Sequence, residues 1–385
     1  MGFPTGETMS KKLRYGCLFS GIGAPLQGAY RVYGKENVEH IFSCEFDKYA
    51  RQSFQANYEI EEKNFHIDVN DMDGKQYKDK VDIIIGGSHC QDFSIAGLRA
   101  GIDGHRGQLI WQYYRIIMEA QPEIFIYENV KGMVSDKGGK TLNDFSHIFR
   151  ESGYYCHHAV LNTKDYGVPQ NRERIYIVGF KDHELYHRFQ FAPKIKLEKR
   201  LKDVLESDVD EKYYLSEKLI AGFMAHEKNM KAKGNGFAFK PTLGDTCGFA
   251  ITDPAKNRID DNYIKVKSAT NSGYETATTG DSINLTHPDS KTRRGRVGVG
   301  VAQTLDCACN QAVVTERIRK LTPRECLRLQ DFPDTFKYEE IVSNSQAYKQ
   351  AGNSMSVNIL EMIFSQIEKA KAQEPTNTLM DFLHD

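Results

Sequence analysis

Short apolar runs separated by polar, glycine-bearing turns recur through the first half of the chain. Leu13-Arg14-Tyr15-Gly16-Cys17-Leu18, His40-Ile41-Phe42-Ser43-Cys44-Glu45, His66-Ile67-Asp68-Val69, Val81-Asp82-Ile83-Ile84-Ile85 and Glu123-Ile124-Phe125-Ile126-Tyr127 all have this form. They read as strands, and an unalternating run such as Ile83-Ile84-Ile85 reads as a strand buried on both faces of a parallel sheet. Pro25 to Tyr33 and Leu109 to Ala120 are amphipathic at helical spacing. Leu142 to Ser152 continues the series as a helix, and Tyr154 to Leu161 and Ile175 to Phe180 continue it as strands. Strands alternating with helices predict an α/β fold.

The pattern changes from Phe191 to about Asn344. Leu201 to Leu205 and Leu215 to Ala225 look helical. Beyond Lys233 the chain is rich in Gly, Asn, Thr and Asp, with short β-like pieces at Tyr263-Ile264-Lys265-Val266 and Ala312-Val313-Val314-Thr315. This predicts a smaller, irregular β-rich domain over 191–344. The larger domain, 1–190, is then completed by 345–385, whose helix-rich part from Ser345 to Lys369 packs back on it. Pro375 to Asp385 reads as a frayed tail.

Composition narrows the class. The chain has 385 residues, with 51 Lys and Arg against 52 Asp and Glu, a net charge of −1. That balance neither demands nor excludes nucleic acid, since a local basic face is enough for phosphate contacts. None of the eight cysteines forms a CxxC pair, which argues for reduced thiols and against a disulfide framework or a zinc site. Met1 to Gly6 has no apolar signal core, and no apolar run approaches membrane-spanning length. The expectation is a soluble, cytoplasmic protein without a metal.

The candidate chemistry sits at strand ends, where open α/β sheets bind their ligands. Phe19-Ser20-Gly21-Ile22-Gly23-Ala24 follows the first strand and reads either as a cofactor turn or as an ordinary tight turn. Glu45 ends the second strand, where a carboxylate can accept hydrogen bonds from ribose hydroxyls, and Phe46 offers a face for adenine; the alternative is a surface acid beside a core aromatic. Asp68 falls on the same edge. Acids there suit a cofactor carrying hydroxyls, an amine and a sulfonium better than one carrying phosphates. The fourth strand runs into Gly86-Gly87-Ser88-His89-Cys90-Gln91-Asp92-Phe93-Ser94. Cys90 is either a small buried hydrophobe or a nucleophile. Asp92 to Leu109, with four glycines and with Arg99, His105 and Arg106, reads as a lid or as a solvated loop. Glu128-Asn129-Val130 follows the next strand and would stand beside Cys90 if the two strands are neighbours. Arg172 and Arg174, two residues apart at a strand start, point to one face.

In order and spacing these segments resemble the motifs of the C5-cytosine DNA methyltransferases, over about Leu13 to Ile367. Phe19 to Ala24 resembles the cofactor glycine loop, Glu45 and Phe46 the ribose acid and adenine-stacking aromatic, and Asp68 the adenine-amine acid. Cys90-Gln91 resembles the nucleophile motif, Glu128-Asn129-Val130 the ENV motif, and Gln170-x-Arg172-x-Arg174 the QxRxR motif. Arg319 to Cys326 with Phe332-Pro333-Asp334 resembles the motif bracing the recognition domain. Gln350 to Met355 resembles the last motif, whose Asn353 and Ser354 return to the cofactor.

The resemblance implies a Rossmann-like, S-adenosylmethionine-dependent catalytic domain with a target-recognition domain, acting on duplex DNA as a monomer. Cys90 would add to carbon 6 of a flipped cytosine, Glu128 would bind ring N3 and the exocyclic amine, Arg174 would hold O2, and Arg172 would support the pocket. Gln91, Ser94, Arg106 and Thr304 become substrate contacts. The basic cluster Lys291, Arg293, Arg294 and Arg296 becomes a candidate for phosphate or base contacts, or a solvated charge run. A restriction endonuclease in the same system, without direct binding, is a further expectation.

The chain departs from the family at His89, where the family places proline. Three outcomes are open: an active methyltransferase; a DNA-binding homologue with impaired catalysis; or a pocket retuned to a cofactor whose transferred group bears a carboxylate. An RNA cytosine methyltransferase is an alternative on the same scaffold.

Overall fold

The computed structural model describes residues 12–88, 109–216, 264–287, 290–315 and 317–373. Its centre is a seven-stranded sheet. In chain order the strands are β1 (Leu13–Leu18), β2 (Val38–Cys44), β3 (Phe65–His66), β4 (Ile83–Gly86), β5 (Ile124–Val130), β6 (Tyr155–Asn162) and β8 (Glu173–Phe180), with β7 (Gln170–Asn171) outside this sheet. The spatial order is β3-β2-β1-β4-β5-β8-β6. The first five run parallel, while β8 is antiparallel to both β5 and β6. The order reverses between β1 and β4, which opens a crevice at their carboxyl ends.

The isoleucine run of β4 explains the two-layered core. Ile83 and Ile85 fall in one apolar cluster, Ile84 in another, and all three are buried. Alternate residues of a strand face opposite sides, so an unbroken apolar run needs cover on both. On the Ile83 side lie α1 (Ala24–Tyr33), α2 (Lys48–Asn57) and the long C-terminal helix Val357–Ala372. On the Ile84 side lie α3 (Leu109–Ala120) and α5 (Lys140–Glu151), with the short α4 (Gly132–Ser135) before α5. The C-terminal helix seats directly on α1: a Cβ at Gly28 would come within 2.9 Å of Leu360 Cβ. Tyr33 adds a hydrogen bond to Glu368 Oε1 (2.7 Å).

Most predicted elements coincide with observed ones, with three differences. The third strand has only two residues, and Asp68 beyond it caps a 3₁₀ turn by accepting from Asn70 N (2.9 Å). Glu128, Asn129 and Val130 lie inside β5, because β8 supplies ladder partners as far as Val130↔Arg174. Leu201 to Leu205 forms a 3₁₀ turn over Leu201–Val204. Leu215 to Ala225 falls mostly outside the described residues.

The β-rich region holds a ribbon of β9 (Ile264–Lys267) and β10 (Tyr274–Ala277). It also holds a four-stranded antiparallel sheet of β11 (Ser282–Asn284), β12 (Val297–Gly298), β14 (Gln311–Val314) and β15 (Ile318–Lys320). Val266, Ala277, Ile283, Leu285, Ala312 and Val314 form its small core. It is joined to the large sheet region where β13 (Ala302–Gln303) pairs in parallel with β7. Helix α6 (His183–Arg188) precedes this region in the chain, and α7 (Pro323–Leu329) and α8 (Asn344–Asn353) follow it, which makes the C-terminal helix α9.

Candidate active site

The carboxyl edge of the parallel strands gathers the predicted cofactor residues. After β1 the backbone turns through Phe19 (φ 55°), Gly21 (φ 53°) and Gly23 (φ 91°) before α1 begins. Left-handed φ is cheap only for glycine, so this turn depends on its glycines. A Cβ at Gly21 would meet nothing within 4 Å, leaving open space above the turn. Gly21 N–H donates to Glu45 Oε2 and Asp47 N–H to Glu45 Oε1, both at 2.8 Å. These two amides aim the Glu45 carboxylate at the end of β2. Phe46, next to it, is 73% exposed, and Ile67 beyond β3 is 54% exposed. Ser20 Oγ is buried without a hydrogen-bond partner among the described residues. Neither Ser20 nor Ile67 stood out in the sequence, where nothing distinguishes them from other turn and strand residues.

Asn353 and Ser354 lie at the end of α8. Asn353 is exposed, and its Oδ1 accepts from Cys307 Sγ (2.8 Å). Ser354 is buried; its hydroxyl donates to Met355 O (2.9 Å).

Glu128 on β5 and Arg174 on β8, which the sequence did not pair with each other, come together. Arg174 Nε lies 3.3 Å from Glu128 Oε1, and both side chains are largely covered, at 16% and 12% exposure. The strand register accounts for this. Glu128 faces Tyr176 and Arg174 faces Val130, so the two side chains are diagonal neighbours on one face of the ladder. Arg172 goes elsewhere. It is buried, and its two Nη atoms donate to Leu305 O (3.3 Å), Gly352 O (3.1 Å) and Ser354 O (2.8 Å). Burial, and then the neighbouring Arg174 charge, lower its pKa to about 10, which leaves it cationic at neutral pH. Arg172 therefore ties the β-rich region and the α8 end to the start of β8.

β4 and β5 are neighbours, with Gly86 opposite Tyr127. Gly87 is squeezed beside Glu128: a Cβ there would lie 2.8 Å from Glu128 Oε2 and 2.9 Å from Met355 Cε. His89, Cys90, Gln91, Ser94 and Arg106, with the whole glycine-rich stretch 89–108, lie outside the described residues.

A polar cleft of about 390 Å³ opens between the carboxyl end of β5 and the β-rich region. Glu173, Arg174, Lys131, Arg293, Arg294 and Thr304 are among its lining residues. Thr304 Oγ1 donates to Asn171 O (2.8 Å), fixing the two motif segments to each other. The predicted basic cluster divides here. Arg293 and Arg294 reach the cleft, and Lys291 is exposed. Arg296 does not join them: it is buried, and its guanidinium donates to Asn284 O, Thr286 O and His287 O. It folds the loop instead of facing a ligand. A run of cations is silent on which member turns inward.

Among the described residues no group of three or more His, Cys, Asp or Glu could hold a metal ion, and no helix is long and apolar enough to cross a membrane.

Residues 13–369 match the family of C-5 cytosine-specific DNA methylases. The orphan methyltransferase M.SPRI of Bacillus phage SPR is 32% identical over 92% of this chain and 97% of its own length. The type II methyltransferase M1.ScrFI of Lactococcus lactis subsp. cremoris is 34% identical over 92% of this chain and 78% of its own. Among solved structures, a putative DNA modification methyltransferase encoded within an E. coli prophage superposes with a TM-score of 0.59 at 22% identity, covering 94% of this chain and all (100%) of the other. A family match that runs through nearly the whole chain, with relatives of this similarity and the same methyltransferase fold, means that the protein belongs to the C-5 cytosine-specific DNA methylase family.

Proposed function

We propose that this protein transfers a methyl group from S-adenosylmethionine to carbon 5 of a cytosine flipped out of duplex DNA, with Cys90 as the nucleophile. The observation that carries this reading is the Glu128–Arg174 pair, with Glu128 on the strand beside the one that leads to Cys90 and Arg174, on the next strand, lining a cleft that bears arginines.

Carbon 5 of cytosine is a weak nucleophile. Addition of the Cys90 thiolate at carbon 6 makes the ring an enamine, which splits one difficult step into easier ones. Glu128 holds N3 and the exocyclic amine as electron density builds at N3, while Arg174 holds O2. Their mutual contact orients both before the base arrives. Once carbon 5 has lost its proton, Cys90 is expelled. None of this is possible inside a stacked duplex, so the base must be extruded. S-adenosylmethionine, when bound, supplies a methyl group activated by its sulfonium. The residues present suit it: an exposed Phe46 ring, a carboxylate held at Glu45, open space over Gly21 and a buried Ser20 hydroxyl without a partner among the described residues. Asp68, Asn353 and Ser354 complete that edge.

Residues 191–344 serve as the recognition unit, with Arg293, Arg294 and Thr304 towards the DNA. M1.ScrFI carries a type II name, and on that ground we extend the reading to the modification half of a restriction system, acting as a monomer without contact with the nuclease.

The test is transfer of tritium from methyl-labelled S-adenosylmethionine to mixed-sequence duplex DNA, with Cys90→Ser and an RNA duplex alongside. Label in DNA that disappears in the serine variant is the expected result. Label confined to RNA overturns the substrate. No label, with DNA bound, supports the reading in which His89 impairs catalysis; preferential transfer from a carboxylate-bearing analogue supports the retuned one.

A further inference from the structure

The polypeptide leaves β4 through Gly86-Gly87, two residues with little conformational restraint of their own, and Cys90 follows three residues later in the sequence. Between them stands Ser88, which is buried. Its Oγ lies 2.6 Å from the Tyr127 hydroxyl, and its carbonyl accepts from Asn129 Nδ2 (3.1 Å). Asn129 Nδ2 also donates to the Tyr127 hydroxyl (2.9 Å), and its Oδ1 accepts from Val130 N (2.8 Å). The Tyr127 hydroxyl is thus held by both Ser88 and Asn129, and either hydroxyl of the Tyr127–Ser88 pair can be the donor. The Tyr127 ring is itself immobilised, fully buried with Tyr113 at 4.9 Å and Phe145 at 4.9 Å between ring centroids. Packing alone would be served by phenylalanine at 127. A hydroxyl buried here costs desolvation unless it is paired, and its partner is the residue two before Cys90.

We propose that Tyr127 is a positioning residue for the nucleophile: its hydroxyl pins Ser88, the residue two before Cys90, to β5 and so fixes the point from which the chain runs on to the nucleophile. The inference rests on the reading of Cys90 as the nucleophile. It has a specific consequence. Histidine at 89 leaves φ free, whereas proline would fix it covalently. Restraint supplied by a proline at 89 should make the Tyr127 hydroxyl redundant.

The experiment compares wild type, Tyr127→Phe, His89→Pro and the double variant. Two readouts are taken: single-turnover methyl transfer at saturating DNA and S-adenosylmethionine, and deuterium uptake of the peptide spanning β4 to Gln91. Tyr127→Phe is expected to slow transfer about tenfold, the scale of one lost buried hydrogen bond, with Kd for DNA and cofactor unchanged. Uptake should rise over Ser88 to Gln91 and nowhere else. In the His89→Pro background the same substitution should change the rate less than about twofold. Equal rate losses in both backgrounds, or an unchanged uptake pattern, overturn the proposal. If His89→Pro does not fold, Ser88→Ala replaces it, and additive losses for Tyr127→Phe and Ser88→Ala then count against the pairing. A wild type that transfers no label defeats the methyltransferase reading, and the uptake result still decides whether Tyr127 restrains this segment.

Discussion

Arg172 and Arg174 stand two residues apart in one motif and do different work. Arg174 reaches Glu128 at the edge of the cleft, and Arg172 is consumed by three backbone carbonyls. Substitutions should separate them. Glu128→Gln keeps size and hydrogen-bonding capacity but removes the charge, and should lower the single-turnover rate by about 10²-fold or more with DNA affinity little changed. Arg172→Lys cannot reproduce a planar fork across three acceptors. It should lose about 3 kcal/mol of stability, read as a lower urea midpoint, with activity falling only as far as folding does.

At the scale of elements, α7 shows how the β-rich region is braced. Thr322 Oγ1 accepts from Glu325 N (3.2 Å), while Glu325 Oε2 accepts from Thr322 N (2.8 Å), a reciprocal cap. The same carboxylate takes a bidentate Arg319, at 2.8 and 2.6 Å, and the amide of Glu206 (2.8 Å), with both members of the ion pair buried. Glu325→Ala should cost about 3–5 kcal/mol because it strands a buried guanidinium. An Arg319→Met, Glu325→Leu double variant should recover much of that loss in thermal melts. In β2, burial lowers the pKa of His40 from 6.5 to about 4. The folded state therefore binds fewer protons there than the unfolded chain. Stability from this residue is full above pH 6.5 and is lost as pH falls towards 4, by an amount of the order of 3 kcal/mol. His66, also lowered by burial, acts in the same direction. His40→Gln should flatten the pH–stability curve in that window, measured by urea titration at each pH.

For the whole molecule, a net charge of −1 conceals a cleft that carries Lys131, Arg174, Arg293 and Arg294. If phosphates pass there, DNA affinity should fall steeply with salt. Replacing Arg293 or Arg294 with alanine should each reduce the log–log salt slope by about 1. Arg296→Ala should instead lower stability, because its guanidinium serves three carbonyls inside the loop.

The sequence by itself determined the strands of the large sheet, the helices α1, α3, α5 and α9, and the family. Unbroken apolar runs can be satisfied only by a sheet covered on both faces, and the motifs at the strand ends keep their order whatever the loops do. It also named Glu45, Phe46, Glu128, Arg172 and Arg174 as candidate site residues. Tertiary structure alone decided which side chains meet. The antiparallel insertion of β8 beside β5 sets the register that joins Glu128 to Arg174 and draws the ENV segment into the sheet. The parallel pairing of β13 with β7 closes the cleft over Arg174, and neighbouring β4 and β5 place the Tyr127 hydroxyl on Ser88. Partners separated by tens or hundreds of residues leave no periodic trace in the chain. A hydrogen bond depends on distances of a few tenths of an ångström, whereas hydrophobic patterning specifies only which face turns inward.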